Sequence, residues 1–180
     1  MPETNGTPYA IIVMGVSGCG KSSIGLRISE ALGMQFVEGD QLHPASNVEK
    51  MSKGIPLTDD DRMPWLDLIG QTMKASLDRG QGVVVSCSAL KRIYRDRLRK
   101  AVNGNLFFVY LSGSKELLTK RMGERKGHFM PPSLLESQLA TLEVPTGEPG
   151  VVTVDIDDTI GGIAETALRD LNILSRWPKI

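Results

Sequence analysis

The stretch from Tyr9 to Leu32 constrains the fold more than any other, because three local patterns follow one another without a gap. Tyr9-Ala10-Ile11-Ile12-Val13-Met14 is a short apolar run of the kind that makes a strand buried on both faces. Gly15-Val16-Ser17-Gly18-Cys19-Gly20-Lys21-Ser22 comes next and fits G-x-x-x-x-G-K-[ST], a phosphate-binding loop. Behind it, Ile24, Ile28, Ala31 and Leu32 recur at i, i+4, i+7 and i+8, one apolar face of a helix that Gly33 ends. The glycines let successive N–H groups turn toward an anion, and the helix start adds partial positive charge. Gly15 through Ser23 are therefore the expected nucleotide contacts. Lys21 is expected to reach the β- and γ-phosphates and the Ser22 hydroxyl to ligate Mg²⁺.

Further apolar runs alternate with helical patterns: Met34–Val37, Val83–Cys87, Leu106–Leu111 and Val151–Val154. Five short strands separated by helices predict an α/β fold, a parallel sheet covered on both faces. No internal repeat or linker divides the chain, so residues 1–180 read as a single domain. Lys+Arg and Asp+Glu balance at 21 each, which gives no overall field for nucleic acid or an anionic membrane. Two cysteines, Cys19 and Cys87, make no disulfide framework and suit a reducing compartment. Residues 1–8 lack a signal-peptide pattern, and no apolar run approaches the ~20 residues that span a bilayer. A soluble, cytoplasmic protein is the expectation.

The second strand ends in Glu38-Gly39-Asp40, and open α/β sheets bind ligands beyond the carboxyl ends of their strands. Asp40 is thus expected beside the transferred phosphate. In the helix that follows Pro44, His43, Asn47 and Lys50 lie near one face, with Val48 and Met51 as the apolar side. That polar face suits a polyhydroxylated or anionic substrate, or is an ordinary solvated face. Thr58 or Asp61 caps the next helix, and if the cap is Thr58, Pro64 should kink it. Leu66, Ile69, Met73 and Leu77 supply its buried stripe, while Arg62 beside the acidic run reads as a surface ion pair. The third strand runs into Ser86-Cys87-Ser88-Ala89-Leu90-Lys91 without a Walker-B aspartate, so Glu38 or Asp40 is expected to help hold the metal through water. Lys91–Lys100 is a basic helix whose Ile93, Arg97 and Lys100 face is solvated.

Lys115–Arg125 reads as a helix in which Arg121 and Arg125 face one way, followed by Gly127, His128 and two prolines. A simple cationic helix end is one reading. The phosphate loop favours the other, a mobile lid over roughly 121–141 that brings positive charge onto the migrating group. Ser133–Leu142 returns as a helix with Leu134, Leu135, Leu139 and Leu142 apolar, and Thr159 caps the last helix, packed through Ala164, Ala167, Leu168 and Leu171.

Taken together, several segments make the chain resemble the gluconate kinase family, small phosphate-loop kinases related in fold to shikimate and adenylate kinases. They are Gly15–Ser22, Glu38–Pro44, Asn47 with Lys50-Met51, Gly54–Leu66, Cys87–Lys91, Tyr94-Arg95-Asp96, Arg125–Met130, and Gln138 with Thr141-Leu142-Glu143. The resemblance implies a three-layer α/β/α P-loop NTPase fold with strand order 2-3-1-4-5, ATP and Mg²⁺ as cofactors, D-gluconate as substrate and a homodimer. It also implies transfer of the γ-phosphoryl group to the 6-hydroxyl, with Lys21, Asp40, Arg121 and Arg125 catalytic. His43, Asn47, Lys50, Arg62, Ser88, Lys91 and His128, together with Asp40, are the candidates for holding the substrate. A shikimate or nucleotide kinase of the same fold, or a nucleotide-gated switch, are the rival readings.

Overall fold

The computed structural model describes residues 6–124 and 132–175, and side chains for 6–124 and 133–172. Five strands form one parallel sheet: β1 (Ala10–Met14), β2 (Gln35–Glu38), β3 (Val83–Ser86), β4 (Leu106–Ser112) and β5 (Val151–Asp155), in the order β2-β3-β1-β4-β5. Ala10 of β1 lies level with Val83 on one side and Leu106 on the other, which fixes the register at the centre. All five β1 residues are buried, as a strand with helices on both faces requires.

Strand residues alternate between the two faces and so divide the core in two. Ile11, Val13, Val84, Val109, Leu111, Val152 and Val154 face α1 (Lys21–Leu32), α5 (Lys115–Glu124), α6 (Pro132–Thr141) and α7 (Ile160–Ser175). Ala10, Ile12, Met14, Val83, Val85, Phe108 and Tyr110 face α3 (Asp59–Asp78) and α4 (Arg92–Ala101). Each buried large side chain in these layers contributes about 1.5–3 kcal/mol.

Two amphipathic faces differ from the sequence pattern. On α1 the buried positions are Ile24, Gly25, Ile28 and Ser29, while Ala31 and Leu32 are exposed. The small residues decide it: a Cβ on Gly25 would stand 2.6 Å from the Phe36 ring, so the helix packs through its glycine. On α2 (Ala45–Ser52) the polarity is inverted, with Asn47 buried and Val48 and Met51 exposed by 51% and 43%. Helix α3 starts at Thr58, in a reciprocal capping box with Asp61. Pro64 therefore lies inside the helix, where it leaves the Asp60 carbonyl without its usual donor. Thr159 Oγ1 accepts from the Gly162 N–H and caps α7. Among the described residues no helix is long and apolar enough to cross a membrane.

Candidate active site

The strand ends converge on the loop at 15–20. Gly15, Gly18 and Gly20 all carry positive φ, at 145°, 85° and 90°, a region that side chains rarely adopt. Space forbids substitution as well: a Cβ on Gly18 would approach Met122 Cγ to 2.7 Å and the Leu118 carbonyl to 3.0 Å. The loop thus packs against α5 and is tied to the segment after β3 by the Gly15 N–H, which donates to the Ser88 carbonyl at 3.3 Å. Lys21 folds back over the loop, its Nζ donating to the Gly15 and Val16 carbonyls at 3.1 and 3.2 Å. The Ser17 N–H donates to Gln138 Oε1 at 2.7 Å. One peptide unit, Val16–Ser17, is therefore gripped from both sides, by the lysine on its oxygen and by a glutamine of α6 on its nitrogen. Val16 and Cys19 are buried, whereas Ser23 is exposed in the first turn of α1.

Of the two carboxylates expected to support a metal, Glu38 is the one joined to the loop. Ser22 Oγ donates to Glu38 Oε1 at 2.8 Å, and Ser86 Oγ donates to the same oxygen at 2.7 Å. A hydroxyl and a carboxylate so close form a hard-oxygen pair of the type Mg²⁺ takes alongside phosphate and water. The chain offers no all-protein cage: among the described residues no group of three or more His, Cys, Asp or Glu side chains is placed to hold a metal.

Gly39 follows at a position that admits no side chain, since a Cβ there would lie 2.0 Å from the Ser86 carbonyl. This close approach to β3 turns the chain into the short 3-10 turn Gly39–Leu42, with the Asp40 side chain 69% exposed. Trp65 holds the turn from below: its Nε1 donates to the Gly39 carbonyl at 2.8 Å, and its ring stacks on His43 with centroids 4.0 Å apart. His43 Nε2 lies 4.0 Å from Asp40 Oδ1. Burial, and then Arg62, hold the imidazole below its usual 6.5 against the opposing pull of Asp40. Lys50 and Asn47 both reach α3: Lys50 Nζ pairs with Asp61 at 2.9 Å, and Asn47 Nδ2 donates to the Asp61 carbonyl at 2.8 Å.

Arg62 is no isolated surface charge. Its Nη1 donates to the Tyr94 hydroxyl at 2.9 Å, Tyr94 in turn donates to Asp59, and Lys91 Nζ donates to both Asp59 oxygens at 2.9 and 3.2 Å. Arg62 and Lys91 thus stand together over one aromatic ring. Hydrogen bonds from Tyr94 and then Lys91 keep the Asp59 carboxyl below the usual carboxylate range. Cys87, at the end of β3, is fully buried, and burial pushes its thiol up to about 12.

Arg121 takes a different position, its Nη2 donating to the Asp158 carbonyl at 3.2 Å, toward the β5–α7 loop. Arg125 and His128 lie outside the described residues, as does the middle of the expected lid. Three residues that sequence patterns did not single out as site residues, Tyr94, Trp65 and Gln138, hold the site together. All three lie in segments that carry the family resemblance, but no local pattern gave any of them a role at the site.

Comparison with known proteins gives a consistent result. An AAA domain model matches residues 11–145. A gluconokinase of Gluconobacter oxydans (strain 621H) is 50% identical over 162 residues, covering 90% of each chain. The crystal structure of a gluconokinase from Sinorhizobium meliloti 1021 superposes with a TM-score of 0.86 at 55% identity, covering 93% of this chain and 94% of that one. A shikimate kinase from Aquifex aeolicus vf5, at 14% identity and a TM-score of 0.55, covers 92% of this chain and 98% of its own and shares the fold alone.

Proposed function

This chain belongs to the gluconokinase family, and on that premise we propose that it transfers the ATP γ-phosphoryl group to the 6-hydroxyl of D-gluconate. The observation that carries this reading is the set formed by Lys21 on the glycine-rich loop after β1, Asp40 exposed in the turn after β2, and Arg62 hydrogen-bonded to Tyr94 at 2.9 Å. One of these is a phosphate cation, one a base open to solvent, and one a cation suited to a sugar-acid carboxylate.

Phosphoryl transfer asks the protein for positioning and charge neutralisation more than for covalent chemistry. Lys21 leaves the Gly15 and Val16 carbonyls for the β- and γ-phosphate oxygens, while the loop N–H groups and the α1 start hold the rest of the triphosphate. Ser22 and, through water, Glu38 would hold Mg²⁺, which when bound neutralises charge on the β- and γ-oxygens. Asp40 orients the attacking alcohol and takes its proton as the new O–P bond forms and the bond to the ADP oxygen breaks. A carboxylate is a weak base toward an alcohol, so this proton moves late. Arg62 and Lys91, with Ser88 and Lys50, form the acceptor side, and the buried His43 and Asn47 lie beneath it. Arg121, Arg125 and His128 belong to the proposed lid, which on closing excludes water and suppresses ATP hydrolysis. A cytoplasmic homodimer completes the proposal, on family resemblance.

A coupled assay with ATP, Mg²⁺ and gluconate, run against other sugar acids, shikimate and nucleoside monophosphates, tests the acceptor. Lys21→Ala and Asp40→Asn are each expected to lower turnover by orders of magnitude with the fold intact. Near-normal turnover of the Asp40→Asn protein removes Asp40 as the base.

A further inference from the structure

His43 and Asn47 were expected to contact substrate through a shared polar face, yet both are turned inward. The Asn47 residue is 2% exposed and the His43 side chain 4%. Their hydrogen bonds settle which atoms carry protons. Asn47 Nδ2 faces the Asp61 carbonyl at 2.8 Å and His43 Nδ1 at 3.2 Å. A backbone carbonyl only accepts, so the amide atom facing it is the nitrogen and not the oxygen. That same nitrogen, with its second N–H, is a donor toward His43, so Nδ1 must offer its lone pair. The ring proton then resides on Nε2, the atom 4.0 Å from Asp40 Oδ1. Turning the ring over would set carbon against both partners.

The surroundings hold this arrangement rigid. The Trp65 indole lies under the imidazole at an interplanar angle of 16° while its own N–H is committed to the Gly39 carbonyl. Asp61 is fixed by Thr58 through the capping box and by Lys50 through both carboxylate oxygens. The charged groups that act on His43 are Asp40 and Arg62. We infer that Asn47 is a positioning residue that locks His43 in the Nε2–H tautomer, so that the imidazole presents a donor, never a lone pair, to Asp40. Small rotation of the exposed Asp40 side chain closes the remaining distance. The carboxylate oxygen toward His43 is then occupied, and the other is left to receive the alcohol proton. This role rests on the reading of Asp40 as the base, whereas the tautomer does not.

The tautomer is read directly from nitrogen-15 spectra of histidine-labelled wild-type protein, which holds only two histidines. His43→Gln identifies the His43 signals. The expected spectrum at neutral pH has a protonated Nε2 and an unprotonated Nδ1 at His43, inverted or doubly protonated in Asn47→Asp, where a carboxylate faces Nδ1. A wild-type His43 ring protonated on Nδ1, alone or with Nε2, overturns the inference, and His128→Gln gives the same assignment should His43→Gln not fold. Turnover tests the second half. His43→Phe keeps the stack on Trp65 but has no donor, and is expected to lose about 10- to 100-fold in kcat, the worth of one hydrogen bond to a charged group. His43→Gln restores an N–H near the Nε2 position and recovers most of that loss. A His43→Phe protein within about threefold of wild type overturns the positioning role. Normal turnover of Asp40→Asn would instead refute the base while leaving the tautomer standing.

Discussion

Arg95 offers the sharpest test of how the site is held. Its guanidinium has no exposed surface and lies on the inner face of an otherwise basic helix. Nε and Nη2 donate to the two Glu148 oxygens at 2.9 and 2.6 Å, Nη1 to the Ala89 carbonyl at 2.8 Å, and Nη2 to the Glu143 carbonyl at 2.9 Å. Ala89 sits at φ 45°, a strained position between Ser88 and Lys91 that this bond stabilises. Glu148→Ala strands a buried cation and should cost about 3–5 kcal/mol. In a domain of this size that corresponds to a fall in Tm of roughly 6–20 °C, at about 2–4 °C per kcal/mol. Arg95→Leu leaves Glu148 with Arg99 as partner at 3.0 Å but deprives two carbonyls of their donor, about 1–3 kcal/mol each. The double variant should lose less than the sum, because it buries no unpaired charge. Thermal and urea unfolding followed by circular dichroism measure all three. A Glu148→Ala protein melting within about 3 °C of wild type, or strict additivity, refutes the reasoning, given the range above. The pH dependence has a definite sign. The Arg95 hydrogen bond holds the Glu148 carboxyl below its usual 4.5, so the pair's contribution is complete above 4.5 and is lost as pH falls through the lower folded value.

Other consequences are equally open to measurement. Glu38→Gln should raise the Mg²⁺ concentration for half-maximal turnover about 10- to 100-fold with little change in the gluconate KM, and an unchanged Mg²⁺ requirement would exclude Glu38 from the metal site. With Cys87 buried and its thiol near 12, and Cys19 also buried, neither cysteine should react with iodoacetamide at pH 8 until urea unfolds the protein; rapid labelling of Cys87 in the folded state contradicts this packing. The Asp61 carboxyl, held to about 2 first by the Lys50 hydrogen bond, should keep its ion pair from neutral pH down past 3.8 and lose it only as pH falls through about 2. A carbon-13 titration placing its inflection near 3.8 would show the Lys50 bridge absent in solution.

The sheet was legible because parallel strands between two helical layers read as unbroken apolar runs, and the loop because its glycines answer a steric demand. Helix faces were less so. Periodicity placed Leu32, Val48 and Met51 inside, but close packing at Gly25 and the hydrogen-bond demands of Asp61 and His43 turned those helices otherwise. Polar burial leaves no periodic trace: Asn47 and Arg95 look like surface residues until their partners, far away in sequence, are in place. Gln138 meets Ser17 across 121 positions, a pairing no local pattern could announce. The cap of α3 was ambiguous between two residues that turn out to cap reciprocally.

The doubly held Val16–Ser17 peptide means that the anion cradle at rest is not an open mouth. A visitor must first evict an oxygen that the protein itself supplies and coax the lysine off two carbonyls. Inorganic phosphate or sulfate, offering only a few oxygens in return, gains little by entering; a triphosphate, long enough to engage the whole loop at once, replaces every bond it breaks. The glutamine that holds this peptide belongs to α6, and just beyond that helix the Glu143 N–H donates to the Leu90 carbonyl at 2.8 Å, so the anion loop and the loop that carries Ser88 and Lys91 share one support.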